Sequence, residues 1–253
     1  MVKADKKKYR YGLIGKNIAY SFSRSYFSTK FKTLGLTDHV YENFDLEQID
    51  EFPSLLKSHE DLCGLNVTIP YKEVIIPYLD EIDPKAAAIG AVNTIQFTSR
   101  GLIGHNTDAF GFREAISGML QPKDKKALIL GTGGATTAVA YVLGEMGIEY
   151  RFVSRAPIVS QLSYQDLGAE DLSAHSLVIN CTPLGTFPNL SQKPPLPYHL
   201  LSDRHFLFDL IYNPAETLFL NEGLQRGARV LNGQRMLELQ AEKAWEIWNM
   251  SYS

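Results

Sequence analysis

The sequence predicts a two-lobed α/β protein, one lobe built on a mixed sheet and the other on a parallel one. Three observations predict it. Short apolar, β-branched segments alternate with helix-length stretches along all 253 residues. A polar stretch, Gln121-Pro122-Lys123-Asp124-Lys125-Lys126, divides these segments into two sets. The second set opens with a strand that runs into glycines and then into a helix, which is the start of a βαβ unit.

In chain order, the first set predicts strands at Tyr11–Ile14, Val40–Phe44, Leu62–Val67, Val92–Phe97 and Gly101–Gly104. Thr98-Ser99-Arg100 joins the last two as a hairpin, which would make one edge of that sheet antiparallel. The second set predicts strands at Ala127–Leu130, Ile148–Val153, Leu177–Asn180, Phe206–Leu210 and Arg229–Leu231. A helix from 135 to 146 should end at Gly147, where a C′ glycine supplies positive φ. Met236–Trp248 carries apolar residues at helical spacing and reads as an amphipathic helix.

Lys plus Arg total 25 against 28 Asp plus Glu, a net charge of −3, so nothing favours nucleic acid as a partner. A small-molecule partner fits better. The basic segment Met1–Lys8 is followed by no apolar stretch, so it is expected to be a solvated tail, with neither a signal peptide nor a membrane anchor. Cys63 and Cys181 suggest no disulfide framework, and the compartment expected is the cytoplasm. His39, His59, His105, His175, His199 and His205 lack metal-ligand spacing, so no metal is expected. Monomer and homodimer both remain open.

Gly131-Thr132-Gly133-Gly134-Ala135-Thr136 follows the strand Ala127–Leu130. Glycines there let the backbone turn tightly and approach a pyrophosphate at a helix N-terminus, as in a Rossmann-like dinucleotide site, although Thr136 takes the place of the third glycine. The next strand ends at Val153-Ser154-Arg155, where an NAD enzyme usually carries an acid for the ribose 2′-hydroxyl. With no acid present, Ser154 and a guanidinium at Arg155 favour the 2′-phosphate of NADP. The bland alternative is a surface arginine.

Two polar clusters mark the first lobe. In Asn66-Val67-Thr68-Ile69-Pro70-Tyr71-Lys72, alternation sends Asn66 and Thr68 to one face. Pro70 should end the strand and start a helix, with Lys72 in its first turn, where the dipole modestly favours a neutral amine. In His105-Asn106-Thr107-Asp108, Asp108 reads either as the N-cap of a following helix or as a site residue at the passage between lobes, where a cleft would lie. Ser21 and Ser23 likewise read either as helix-capping hydroxyls or as donors to an anion.

Taken in order, these segments resemble the shikimate dehydrogenase family over nearly the whole chain: Gly15 to Ser23, Asn66 to Lys72, Gly90-Ala91-Val92-Asn93-Thr94, Asn106-Thr107-Asp108, Gly131 to Thr136, and Asn180-Cys181-Thr182-Pro183-Leu184-Gly185. The resemblance implies NADP-linked interconversion of 3-dehydroshikimate and shikimate, with Lys72 and Asp108 as the catalytic pair. It implies that Ser21 and Ser23 bind the substrate carboxylate, and that Asn66, Thr68, Asn93 and Asp108 bind ring hydroxyls. Tyr212 and Gln240 look like further substrate contacts, Leu210 and Gly233 match positions near the nicotinamide, and Gly131, Thr132, Gly133, Gly134, Ala135, Ser154 and Arg155 match the rest of the NADP site.

On this basis residues 1–107 with 236–253 form a discontinuous substrate domain and 108–235 the cofactor domain. Asn17, Tyr20 and Arg24 depart from the family, in which many members have proline, histidine and proline. Rival expectations are an enzyme of the same fold that prefers quinate, and a regulatory module that binds a nucleotide without turnover. Retention of both Lys72 and Asp108 speaks against the module.

Overall fold

The computed structural model describes residues 9–19 and 21–250; the basic segment 1–8, Tyr20 and residues 251–253 lie outside the described residues. The chain divides into two compact units, Met1–Thr107 with Ala241–Ser253, and Asp108–Gln240.

The first unit contains β1 (Tyr9–Gly15), α1 (Phe22–Thr33), β2 (His39–Asp45), α2 (Phe52–Ser58), β3 (Leu62–Val67), β4 (Glu81–Ile82), α3 (Pro84–Ile89), β5 (Thr94–Thr98) and β6 (Gly101–His105). Its six-stranded sheet runs β2-β1-β3-β5-β6-β4. Strand β5 is antiparallel to both β3 and β6, while β4 pairs parallel with β6 at the edge. The hairpin expected at Thr98–Arg100 is therefore present, but the antiparallel strand lies inside the sheet. The two-residue β4, too short for a period-2 signal, takes the edge. Apolar side chains fill both faces: Ile14, Phe52, Leu65, Ile75 and Ile95 form one cluster, and Tyr11, Phe27, Phe31, Tyr41, Ala244 and Trp248 another.

The second unit runs through α4 (Thr107–Ser117, whose first residue belongs to the first unit), β7 (Lys126–Leu130), α5 (Gly134–Glu145), β8 (Glu149–Ser154), β9 (Leu162–Ser163), α6 (Ala169–Ala174), β10 (Leu177–Asn180), β11 (Phe206–Asp209), α7 (Leu218–Gln225), β12 (Arg229–Leu231) and α8 (Gln234–Trp248). Its sheet is ordered β12-β11-β10-β7-β8-β9 and every pairing is parallel. Renumbered within the unit this is 3-2-1-4-5-6 with both halves wound outward from β7, the Rossmann arrangement, whose order reverses between β7 and β10. Gly147, at φ +67, follows the end of α5 as its spacing predicts. Residues from Ala241 onward group with the first unit, five beyond the break expected after 235. Gly111 accounts for the difference: a Cβ there would lie 2.5 Å from Met236 O and 3.1 Å from Gln240 Cβ, so α4 and the start of α8 pack with no room between them.

Among the described residues, no helix is long and apolar enough to cross a membrane and no group of three or more His, Cys, Asp or Glu side chains is arranged to hold a metal.

Candidate active site

The polar residues of the first unit are joined by hydrogen bonds that cross its sheet. Register places Asn66 opposite Thr94, and Thr94 opposite His105. Asn66 is buried, and its Nδ2 donates to Asn93 O at 3.3 Å and to Thr94 Oγ1 at 3.2 Å. Its Oδ1 accepts from the Tyr41 hydroxyl at 2.8 Å. Burial holds that phenol well above its ordinary range, with nearby Ser23 opposing the shift. Asn93 Oδ1 accepts from Thr107 N at 2.7 Å, from Thr107 Oγ1 at 3.1 Å and from Thr94 Oγ1 at 3.2 Å. Buried polar groups demand such partners, and here each satisfies the next.

Ser21 is the N-cap of α1, accepting from Ser23 N at 3.2 Å, so the capping reading of Ser21 holds. The loop before it is tied down by Asp45, which accepts from Asn17 N and Ile18 N, and by Asn43 Nδ2, which donates to Ile18 O. Asn17 adopts φ +57, where an asparagine is tolerated and a proline, locked near −65°, is not. This loop is therefore shaped differently from one with proline at that position. Thr68, half-buried, lies one residue past β3 and donates its N–H to Ile14 O.

Lys72 lies in no α-helix, contrary to the expectation. Residues 72–75 form turns and a short 3-10 turn spans Ile76–Tyr78. Pro77 has no N–H to donate to Glu73 and its ring crowds that carbonyl, while Lys72 O accepts from Val92 N at 2.7 Å instead of from its own segment. The dipole of a helix N-terminus thus does not act on Lys72. Asp108 is the second residue of α4 rather than its N-cap, because the helix begins at Thr107. A carboxylate in that first turn complements the positive end of the helix dipole. Consecutive residues of one strand entry therefore hold both segments: Val92 binds the carbonyl of Lys72, and Asn93 binds Thr107, the neighbour of Asp108.

In the second unit, β7 leads through Gly131, at φ +101, to Gly133 as N-cap of α5. A side chain at Gly131 would meet Thr182, whereas a Cβ at Gly133 would meet nothing within 4 Å. The first turn of α5 carries no acid. Bare backbone, open space and a helix N-terminus at the reversal point of the sheet fit a dinucleotide pyrophosphate. Thr132 is exposed, Gly134 and Ala135 are half-buried and Thr136 is buried. Ser154 ends β8, its hydroxyl accepting from Ala156 N at 3.2 Å, and Arg155 follows it exposed.

Gly233 is pressed onto the chain at Leu210: a Cβ there would lie 2.1 Å from Leu210 O, and Gly233 N donates to Ile211 O at 3.0 Å. Tyr212 follows, half-buried, its phenol raised by burial. Gln240 is buried in α8, its Nε2 donating to Leu237 O at 3.1 Å.

Sequence reasoning missed the residues that support these. Asp209, fully buried at the end of β11, accepts from Asn180 Nδ2 at 3.0 Å, Ile211 N at 3.1 Å and Thr217 Oγ1 at 2.6 Å. Burial raises its carboxyl to about 6 against those three donors. Asn180 Oδ1 accepts from Thr182 N and Oγ1, so one carboxylate ties together the loops after β10 and β11. The available signal was an acid closing the apolar run Phe206-Leu207-Phe208. Tyr41, Thr94 and Thr107 were missed as well.

The model of the shikimate dehydrogenase substrate binding domain matches residues 13–95. A shikimate dehydrogenase (NADP(+)) of Methanococcus maripaludis is 37% identical over 256 residues, covering 94% of this chain and 90% of the relative. The crystal structure of shikimate 5-dehydrogenase from Thermus thermophilus, in complex with NADP(H) and shikimate, superposes with TM-score 0.83 at 33% identity, covering 95% and 93% of the two chains. Quinate dehydrogenase from Corynebacterium glutamicum, in complex with NAD, gives TM-score 0.82 at 26% identity over 96% and 94%.

Proposed function

The chain belongs to the shikimate dehydrogenase family, and we propose that it interconverts 3-dehydroshikimate and shikimate with NADP, using Lys72 and Asp108 as the catalytic pair. The observation that carries the pairing is the double clamp at Val92 and Asn93, which holds the Lys72 carbonyl and the residue before Asp108 at adjacent positions of one strand entry. A cytoplasmic location goes with this reading.

The glycine loop from Gly131 to Ala135 and the N-terminus of α5 would hold the pyrophosphate of NADP, Ser154 and Arg155 its 2′-phosphate, and Leu210 and Gly233 its nicotinamide end. When bound, NADPH would supply the hydride that reduces the substrate ketone. Ser21 and Ser23 bind the substrate carboxylate. Asn66, Thr68, Asn93, Tyr212 and Gln240 hold the ring and its hydroxyls. The Lys72 ammonium stabilises negative charge growing on the ketone oxygen and gives that oxygen its proton; in the oxidative direction the proton returns to the pair. Asp108 orients the ammonium and accepts from a substrate hydroxyl. Both groups act on one proton, so the step belongs to the pair.

The test is NADPH formation, followed at 340 nm, with shikimate or quinate against NADP or NAD. Shikimate with NADP should show the highest kcat/KM. The likeness to quinate dehydrogenase makes quinate the informative competitor, and a higher kcat/KM on quinate would move the assignment to that branch. Arg155→Ala should raise KM for NADP about tenfold, the size of one charge-assisted contact, and leave KM for NAD nearly unchanged. An equal rise for both cofactors would remove Arg155 from 2′-phosphate recognition.

A further inference from the structure

Tyr41 lies within β2, 4% exposed, with its ring stacked on Phe27 at 4.6 Å and 11°. Its hydroxyl donates at 2.8 Å to Oδ1 of Asn66, a residue assigned above to the substrate ring and its hydroxyls. We infer that Tyr41 is a positioning residue that sets the Asn66 amide to accept from a substrate hydroxyl. The inference rests on the functional reading above.

A phenol has one proton. It goes to Asn66 Oδ1, so the phenol is the donor and the amide oxygen the acceptor. The opposite side of the amide faces Asn93 O, which can only accept, and so fixes Nδ2 there. The two Nδ2 hydrogens meet Asn93 O and Thr94 Oγ1. What Asn66 offers a ligand is therefore the second lone pair of Oδ1, and it acts as an acceptor. Asn93 has the reverse polarity: its Oδ1 already takes three hydrogen bonds, so its amide N–H groups are what it presents. The pair then reads two hydroxyl groups in opposite senses, one as donor and one as acceptor.

Tyr41→Phe removes that hydroxyl and keeps the stacked ring. KM for shikimate should rise about threefold to tenfold, as for loss of one buried hydrogen bond, with kcat within about twofold and KM for NADP unchanged. In an Asn66→Ala background the same substitution should add almost nothing to KM, because the group it orients is gone. Tyr41→Leu serves as the packing control. A pure packing role predicts a Phe variant that binds shikimate like wild type and a Leu variant with lowered Tm. That result, or a KM rise that persists in full without Asn66, overturns the inference. A wild-type protein with no shikimate-dependent NADPH formation instead refutes the functional reading, and the inference falls with it.

Discussion

Lys72→Ala is expected to lower kcat for shikimate oxidation about a hundredfold or more, within the ~10²–10⁴ that positioned acid–base groups contribute. KM for shikimate should change much less. The fold should survive, because the segment is held through its backbone: Lys72 O accepts from Val92 N, and Tyr71 Oη donates to Leu46 O, contacts that the substitution leaves in place. Initial rates at 340 nm over a range of shikimate concentrations separate the two constants. A kcat near that of wild type would take Lys72 out of the chemistry and leave Asp108 to be explained alone.

Asp209→Ala should destabilise the protein by about 3 kcal/mol, because it strands Asn180 Nδ2, Ile211 N and Thr217 Oγ1 in a fully buried setting without their acceptor. Denaturant unfolding measures this. Asp209→Asn should cost less, since its Oδ1 can still face Asn180 and Ile211 while its Nδ2 turns to Thr217. The carboxyl also leaves a pH signature. Burial raises its folded pKa to about 6, above the ordinary carboxylate range, so protonation favours the native state. Its contribution is fully present below about pH 4 and is lost as pH rises through about 6. Asp209→Asn, neutral at every pH, should flatten the stability curve in that window relative to wild type. Curves that stay parallel would mean that Asp209 does not titrate there.

The parts of the fold set by local pattern were legible. Leu62–Val67, Leu177–Asn180 and Arg229–Leu231 are apolar runs whose limits coincide with β3, β10 and β12, and the glycines at 131, 133 and 147 mark real turns and caps. Two-residue strands such as β4 and β9 carry no periodicity and were invisible. The helix expected at Lys72 does not form because Pro70 can start one but Pro77 forbids its next turn. The site residues came from an ordered resemblance, since Lys72 or Gln240 taken singly is an ordinary polar residue. Tyr41 could not be read at all: its partner Asn66 is 25 positions away, and only the order and register of the strands bring the two together.

The first unit draws on residues from both sides of the second. Trp248 Nε1 donates to Ile95 O, Gln96 Nε2 to Ile247 O, and the Trp248 ring occupies the space that a Cβ at Gly64 would need. During synthesis, then, the sheet that carries Asn66 and Asn93 emerges from the ribosome early but lacks a wall of its core until translation has passed residue 248. At ~5–20 residues per second, that interval is on the order of ten seconds. The nascent first unit spends it with part of the apolar side of β1 and β3 uncovered, a period in which a chaperone has a surface to hold, whereas the Rossmann sheet has all its strands once Leu231 is made.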